Sequence, residues 1–530
     1  MSLHVDHLRP DRDALAAAGA AALEQRLDAA TLRLAPSFSA AVFDADGVVA
    51  WVGRGHQRRD AATPTRGTIY RIASMSKSFL GAAALVLRDE GRLDMHAPVT
   101  DYVPEFAAAT YQGRPVHVTL DMLMSNRGGL AEDNPWGDNH LGASRAEMSR
   151  VLSDGLRLAL PPDETYQYSN LGISLIGRAI EQVTGQPVER FVSERLLRPL
   201  GLHHTAYSLD DIATESARPD AATGWRTFDS GASWANEPYV GCGALGCIGA
   251  LFSTVDDIAS WGGFLRSAFT DHPLSEDVLS AASRRELQRV HTIIAGTDER
   301  LSSRPLTGAG YGYGLVVEHH RRLGRIVQHS GGLPGFTSHM RWHVDSGVGV
   351  VVFGNSDATS AAAIAIDVHD RLLDEVVLTS TGEPSRAEPA GVLGAQLRPW
   401  PETLRAARLL DAHVRTGEQS IASLSDLFAR NVLTDEPADV RDAALNAARA
   451  RVGGVPAAAS ALETRLIDAP TEAVLRWRVP GAAGELVCTL RMVGLSRPLV
   501  QAFSVVAGDA AADDRPSAMR SLPVTAEPGR

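Results

Sequence analysis

The chain has 530 residues, 44% hydrophobic and 22% charged, with a formal net charge of −12. That length exceeds one ordinary core and predicts two or more domains, while the composition excludes a disordered chain. The negative balance argues against general affinity for nucleic acid or an anionic membrane, and no apolar run is long enough to span a bilayer.

In chain order, "ALAAAGAAAL" (14–23) has the length of a signal-peptide core. Asp6, Asp11 and Asp13 precede it and cancel the positive charge a secretory leader needs, so a packed first helix is expected. "FSAAVFDADGVVAWVGRG" reads as a β-hairpin around Asp46-Gly47. A helix-rich middle follows, broken by turn-rich stretches such as "NPWGDNHLG" and "ALPPDETYQ". Strand character returns between 311 and 355, and "SAAAIAIDVHDRLLDEVV" (360–377) reads as an amphipathic helix. The expected class is α+β. Strands from both ends form one antiparallel sheet, with the first and last helices on one face and the helical middle on the other.

This catalytic unit is expected over 1–380. The Pro-, Gly- and Ala-rich stretch 381–401 reads as a linker. From 402 to 530 we expect a small α+β accessory domain, helical to 450 and then a meander of "AVLRWRVPG", "GELVCTLRMVG" and "RPLVQAFSVVAG", with a polar tail from about 508. Three cysteines form no disulfide framework, which fits a cytoplasmic protein.

Three short stretches carry possible chemistry. "RIASMSKSF" places Ser74 three residues before Lys77 at the start of an apolar helix. That spacing puts both on one helix face, about 5–6 Å apart. A lysine in apolar surroundings loses hydration, its pKa falls, and its lone pair becomes a base. An N-capping serine beside a snorkelling lysine has the same pattern. "PPDETYQYSN" presents Tyr168-Ser169-Asn170 before a helix, and "QHSGGLPGF" presents His329-Ser330-Gly331-Gly332 at a strand end. Singly, each is an ordinary turn or strand terminus.

In this order and at these separations, the three stretches resemble the serine β-lactamase and penicillin-binding protein superfamily. The resemblance is to its class C branch, with family-VIII esterases, D-aminopeptidases and DD-peptidases. "GTIYRIASMSKSFLGAAALVLRDEGRLDMHAPVTDYVPEF", "SNLGISLIGRAIEQVTGQPVERFVSERLLRPLGLHHT" and "GALFSTVDDIASW" extend the likeness over about residues 10–380. It implies a β-lactamase-like fold and a serine hydrolase. Ser74 would attack a carbonyl to form an acyl-enzyme. Lys77 would hold Ser74 and poise Tyr168, the expected general base, its phenol depressed by adjacent positive charge and returning the proton to the leaving group. Asn170 would orient Lys77 and offer its amide to the substrate. The N–H groups of Ser74 and Gly332 would form an oxyanion hole, with Ser330 and Gly331 in the same wall. His329 stands where lysine is common, so its help to Tyr168 is expected to vary with pH.

The expected substrate is a small ester, amide or lactam, with esterase and D-amino-acid amidase favoured over β-lactamase. A penicillin-binding sensor that is acylated without turnover is the competing reading. No cofactor and no metal are expected. His339 and His343 would sit too far apart along a strand to share an ion, and Cys242 and Cys247 read as part of a small-residue loop. The basic run "GRGHQRR" lacks the interleaved aromatics of a nucleic-acid site. For the accessory domain, capping the pocket, self-association and binding a partner all stay open, and no residue decides among them. One stretch departs from the resemblance: "LMSNRGGL" puts Asn126 and Arg127 where relatives read "LLTHTSGL", which is expected to alter substrate choice without removing a catalytic group. No arginine matches the carboxylate-binding position of DD-peptidases.

Overall fold

The structure is a computed structural model describing residues 9–56, 63–212, 220–295, 304, 306–321, 323–377, 399–417, 419–457 and 460–508. Helix α1 (Arg12–Arg26) starts at Asp11, whose carboxylate accepts from the Ala14 N–H. It leads into the hairpin of β1 (Ser37–Asp44) and β2 (Gly47–Gly55), which turns at Gly47 with φ of +111°, a value that glycine adopts freely. The middle of the chain supplies α2 (Ser76–Asp89), α3 (Asn134–Asn139), α4 (Asn170–Thr184) and α5 (Val255–Ser267). Six more strands follow: β3 (Thr292–Ile293), β4 (Leu306–Tyr311), β5 (Val316–His320), β6 (Gly324–Leu333), β7 (Phe336–His343) and β8 (Gly349–Gly354). Helix α6 (Ala361–Leu372) comes next.

These strands form one antiparallel sheet in the order β2-β1-β8-β7-β6-β5-β4-β3, so the N-terminal hairpin docks on the last strand. As expected, α1 and α6 cover one face, where Leu15, Leu23, Val350, Ile364 and Leu372 share a core. On the other face α5 packs against β1, β2, β7 and β8, and Trp261 stacks on Phe79 of α2 at 4.1 Å. Covered on both faces, β1, β7 and β8 are buried along their whole length. That is why β8 reads as a nearly continuous apolar run, whereas the buried polar side chains of β7 are hydrogen-bonded, as Ser338 is to the Ile72 carbonyl and His339 to Ser330.

A second core gathers α7 (Pro401–Thr416), α8 (Asn431–Asp435), α9 (Ala438–Arg451) and a four-stranded sheet ordered β9-β10-β11-β12. Its strands are β9 (Leu466–Thr471), β10 (Val474–Gly481), β11 (Gly484–Val493) and β12 (Leu499–Gly508). The expected meander is β10 to β12; β9 is an additional strand. At its centre Asp411 accepts two hydrogen bonds from Arg465 (2.8 and 2.7 Å) and one from the Trp477 indole (3.0 Å). Most of the expected linker lies outside the described residues, as does the tail beyond 508. Its last residues differ from expectation: Trp400 is buried in the second core and bonds Glu472 through its indole (2.7 Å), while Pro401 opens α7, where a missing N–H costs nothing. Among the described residues no helix is long and apolar enough to cross a membrane.

Candidate active site

Ser74 and Lys77 stand at the junction between a single 3₁₀ turn (Ala73–Met75) and α2. Every side chain from Ser76 to Leu87 is buried, Lys77 included. The ammonium therefore has no water in which to snorkel. Its Nζ donates to Ser74 Oγ at 2.9 Å and to the Ile248 carbonyl at 3.1 Å. Two partners leave one of three N–H donors unused. Burial pushes its pKa down to about 7, resisted by the negative charge of Asp138 and Asp133.

Ala73, just before the nucleophile, has φ of +49°, a conformation that costs a residue with a side chain roughly 1–2 kcal/mol. The neighbours hold it there. Ser338 Oγ donates to the Ile72 carbonyl (2.7 Å), Ile72 N–H donates to Leu251 (3.0 Å), and Ser76 Oγ donates to the Ala73 carbonyl (2.7 Å). Gly331 closes the same contact: a Cβ there would lie 2.3 Å from the Ile72 oxygen and 2.2 Å from Ser338 Oγ. Without a Cβ at 331, β6 comes this close to the turn before Ser74. β5 pairs with residues 324–328 of β6 only, so among the described residues no strand pairs with that side of the last five residues of β6, His329 to Leu333.

Tyr168 comes from the loop before α4. The Lys77 amine lies 5.1 Å from its ring centroid, so the hydroxyl, amine and phenol do converge. The ring is half-buried but its hydroxyl is fully buried, with no hydrogen bond of normal geometry. Burial pushes the phenol well above its ordinary pKa, only partly offset by the Ser74 hydroxyl. This reverses the expected depression: the cost of burying a phenolate outweighs any help from Lys77.

His329 also departs from expectation. Burial and the nearby Lys77 charge push its pKa down to about 3, so the ring is neutral across the physiological range. Its Nδ1–H donates to the Ser330 carbonyl (2.5 Å), and its Nε2 accepts from the Tyr311 hydroxyl (2.9 Å). Tyr168, Tyr311 and His329 thereby form an aromatic wall, with centroids 5.9–6.4 Å apart. The Ser330 hydroxyl bonds His339 Nδ1 (2.9 Å) across to β7. Asn170 is fully buried, yet no hydrogen bond joins it to Lys77; its amide donates to Asn134 Oδ1 at 3.0 Å.

What holds Tyr168 in place was only partly visible in the sequence. Asn126, at φ +58°, accepts the Ser169 N–H on Oδ1 (3.0 Å) and the Gln167 N–H on its carbonyl (2.8 Å). Arg127 bonds Asp163 (2.5 Å) on the Pro-led turn and also Asp121 and Ser125 on the preceding helix. Asp133 accepts from Ser169 Oγ (3.2 Å), Asn170 N–H (2.6 Å) and Leu171 N–H (2.8 Å). The departure from "LLTHTSGL" therefore frames the tyrosine loop. Asp133 lies beside "NPWGDNHLG", which reads from sequence only as a turn.

Among the described residues, no group of three or more His, Cys, Asp or Glu side chains is placed to hold a metal. His343 is tied through both ring nitrogens, to Ser346 Oγ (2.8 Å) and the Leu323 carbonyl (2.6 Å).

The family model described as Beta-lactamase matches residues 21–374. D-alanyl-D-alanine-carboxypeptidase/endopeptidase AmpH of Escherichia coli K12 is 26% identical over 295 residues, covering 54% of this chain and 71% of its own. The solved structure of a D-stereospecific amidohydrolase from Streptomyces sp. superposes with a TM-score of 0.52 at 21% identity, over 66% of this chain and 98% of that one. The octameric penicillin-binding protein homologue from Pyrococcus abyssi gives a TM-score of 0.56 at 17% identity, over 91% of this chain and 97% of that one.

Proposed function

This chain belongs to the beta-lactamase family, and from that premise we propose that it is a serine hydrolase that forms an acyl-enzyme on Ser74 and cleaves a small ester or amide. The observation that carries the reading is the 2.9 Å contact between Ser74 Oγ and a fully buried amine whose pKa is brought down to about 7. A buried lysine of that kind is neutral in a large share of molecules at neutral pH, and a neutral amine can take the serine proton as Oγ attacks. The base role thus falls to Lys77 rather than Tyr168. Tyr168, held as a neutral phenol, serves as the acid that passes a proton to the leaving group and is reprotonated from Lys77. N–H groups of Ser74 and Gly332 stabilise the oxyanion, a contribution of roughly 10²–10³ in rate per donor. The free side of β6 beyond Gln328 supports that placement.

The aromatic wall suits an uncharged acyl group. The AmpH and amidohydrolase relatives support D-amino-acyl amides as the first class to test, with simple esters beside them. The three cysteines are free thiols, which supports a reducing, cytoplasmic setting. Leu409, Leu466 and Val506 are exposed on the C-terminal sheet and helices, which supports self-association there, read by light scattering.

The test is intact-protein mass spectrometry after mixing with p-nitrophenyl acetate, a D-amino acid amide and nitrocefin in turn. A transient adduct on Ser74 with multiple turnovers is expected for the ester or amide, and none in Ser74→Ala. One equivalent of product followed by arrest gives the sensor reading instead. No adduct with any of the three, or adducts that persist in Ser74→Ala, overturns the proposal.

A further inference from the structure

We propose that Asp133 is a positioning residue for the acid–base pair: a single carboxylate fixes the loop that presents Tyr168 and supplies counter-charge to the Lys77 amine. The inference rests on the acyl-enzyme reading. Tyr168 precedes Ser169, whose side chain caps α4 by accepting the Gly172 N–H at 3.0 Å. Three groups in succession, Ser169 Oγ, Asn170 N–H and Leu171 N–H, donate to the Asp133 carboxylate. The two N–H groups belong to the first turn of α4, where backbone donors have no partner inside the helix. A carboxylate there gains from the positive end of the helix dipole as well. Asp133 is therefore an external cap, from a distant part of the chain, on the helix that starts immediately after the phenol.

The same side chain is 2% exposed and stands in a buried acidic group. Glu132 is next to it and is paired with Arg491 at 2.5 Å. Asp138 follows on α3, with Asp435 of α8 beyond it. Across from these acids stands Lys77, whose other titratable neighbours are Cys247 and the neutral His329. Tyr166 and the Tyr168 phenol complete the set. Lys77 is the cation that Asp133 and Asp138 both act on, and neither carboxylate forms a direct salt bridge with it. Burial, helped by the nearby Glu132 charge, brings Asp133 up to about 7, against three hydrogen bonds that favour its charged form. Near neutral pH its charge is thus shared between two duties. Losing it loosens the loop and lowers the proton affinity of Lys77.

A merely structural aspartate would affect folding and leave the titration of Lys77 alone. The distinguishing experiment uses the full chain with Asp133→Asn and Asp133→Glu, following p-nitrophenyl acetate hydrolysis from pH 5 to 9. Asp133→Asn keeps a similar shape but loses the charge and one acceptor. Its plateau kcat is expected to fall roughly 10-fold or more through a displaced phenol, with KM changed less than about threefold. Its acidic limb should move to lower pH by about half a unit or more. Asp133→Glu keeps the charge but misplaces it, so its limb should stay while its plateau falls. If Asp133→Asn does not fold, the Asp133→Glu pair of readings decides alone. A wild-type plateau in either folded variant, or an unmoved limb in Asp133→Asn, overturns the proposal. Adduct formation on Ser74 in the wild type separates the cases: without it the hydrolase reading itself fails, and with it only the role of Asp133 does.

Discussion

Lys77 shows how one residue trades stability for chemistry. A buried ammonium is expensive unless paired, and here its direct partners are a hydroxyl and a carbonyl. Its folded pKa, about 7, lies below the value of an unfolded lysine, about 10.4. Between those values the unfolded chain binds the extra proton, so stability contributed by this site rises with pH and is lost as pH falls. Lys77→Met should therefore raise stability near pH 7 by about 1 kcal/mol, read by urea denaturation, while removing turnover. In the proposed mechanism activity has the same sign, since only a neutral amine can accept the serine proton. The kcat/KM profile should climb with pH through an inflection near 7. His329, already neutral, cannot supply that limb. In His329→Asn the inflection should stay in place even if the rate drops; a lost limb would return the titration to the histidine.

At the scale of elements, the site depends on how closely α3 approaches the start of α4. Gly137 makes that approach possible: a Cβ there would lie 2.5 Å from Asn170 Cβ and 2.8 Å from its amide nitrogen. Asn170 cannot yield easily, because its N–H is held by the Asp133 carboxylate and its amide by Asn134 Oδ1. Gly137→Ala should push Asn170 and the Tyr168 loop outward and lower kcat roughly 10²-fold, with a stability loss of about 1–3 kcal/mol from overpacking. Paired kcat and thermal-melt measurements check it. An alanine variant with full activity would show that α3 is slack. This contact was not legible in the sequence, where "NPWGDNHLG" signals only turns. Ser74, Lys77, Tyr168 and His329 were legible because their motifs are local and a resemblance fixed their order. The hairpin, the sheet and α6 were legible from alternation, Asp-Gly turns and helical spacing. What escaped was long-range and electrostatic: which side chains Asp133 caps, how deep burial pushes the phenol up, and the short strand β9. Asn170 illustrates the limit, since its motif position implied contact with Lys77 while a neighbour from another turn, Asn134, takes its amide.

For the whole molecule, the question is why a hydrolase core is joined to a second sheet. The structural match to the Pyrococcus abyssi protein runs over 91% of the chain, so the likeness in fold is not confined to residues 21–374. The second core bears on the back of the loop that supplies Asp133. Arg491 of β11 pairs with Glu132, the Gln501 amide donates to the Glu132 carbonyl, and Asp435 of α8 accepts from Asn139 at 2.9 Å. Arg157 N–H donates to Gly494 at 2.9 Å beside them. The C-terminal sheet and helices thus brace α3 and the acidic group from behind. The Glu132–Arg491 pair tests this, because both side chains are less than a tenth exposed. Removing the arginine leaves a buried carboxylate without its cation, a loss of roughly 3–5 kcal/mol. Burial already pushes Glu132 upward even with Arg491 present, and without it the folded carboxyl holds its proton more tightly still. A folded pKa above the unfolded value gives stability at low pH that is lost as pH rises. Arg491→Met should therefore be destabilised less at pH 5 than at pH 8, in urea denaturation read at both. Glu132→Gln on the same background should restore most of the loss and abolish that difference. An Arg491→Met chain that keeps wild-type stability and kcat at pH 8 would mean that the second sheet does not support the catalytic loop.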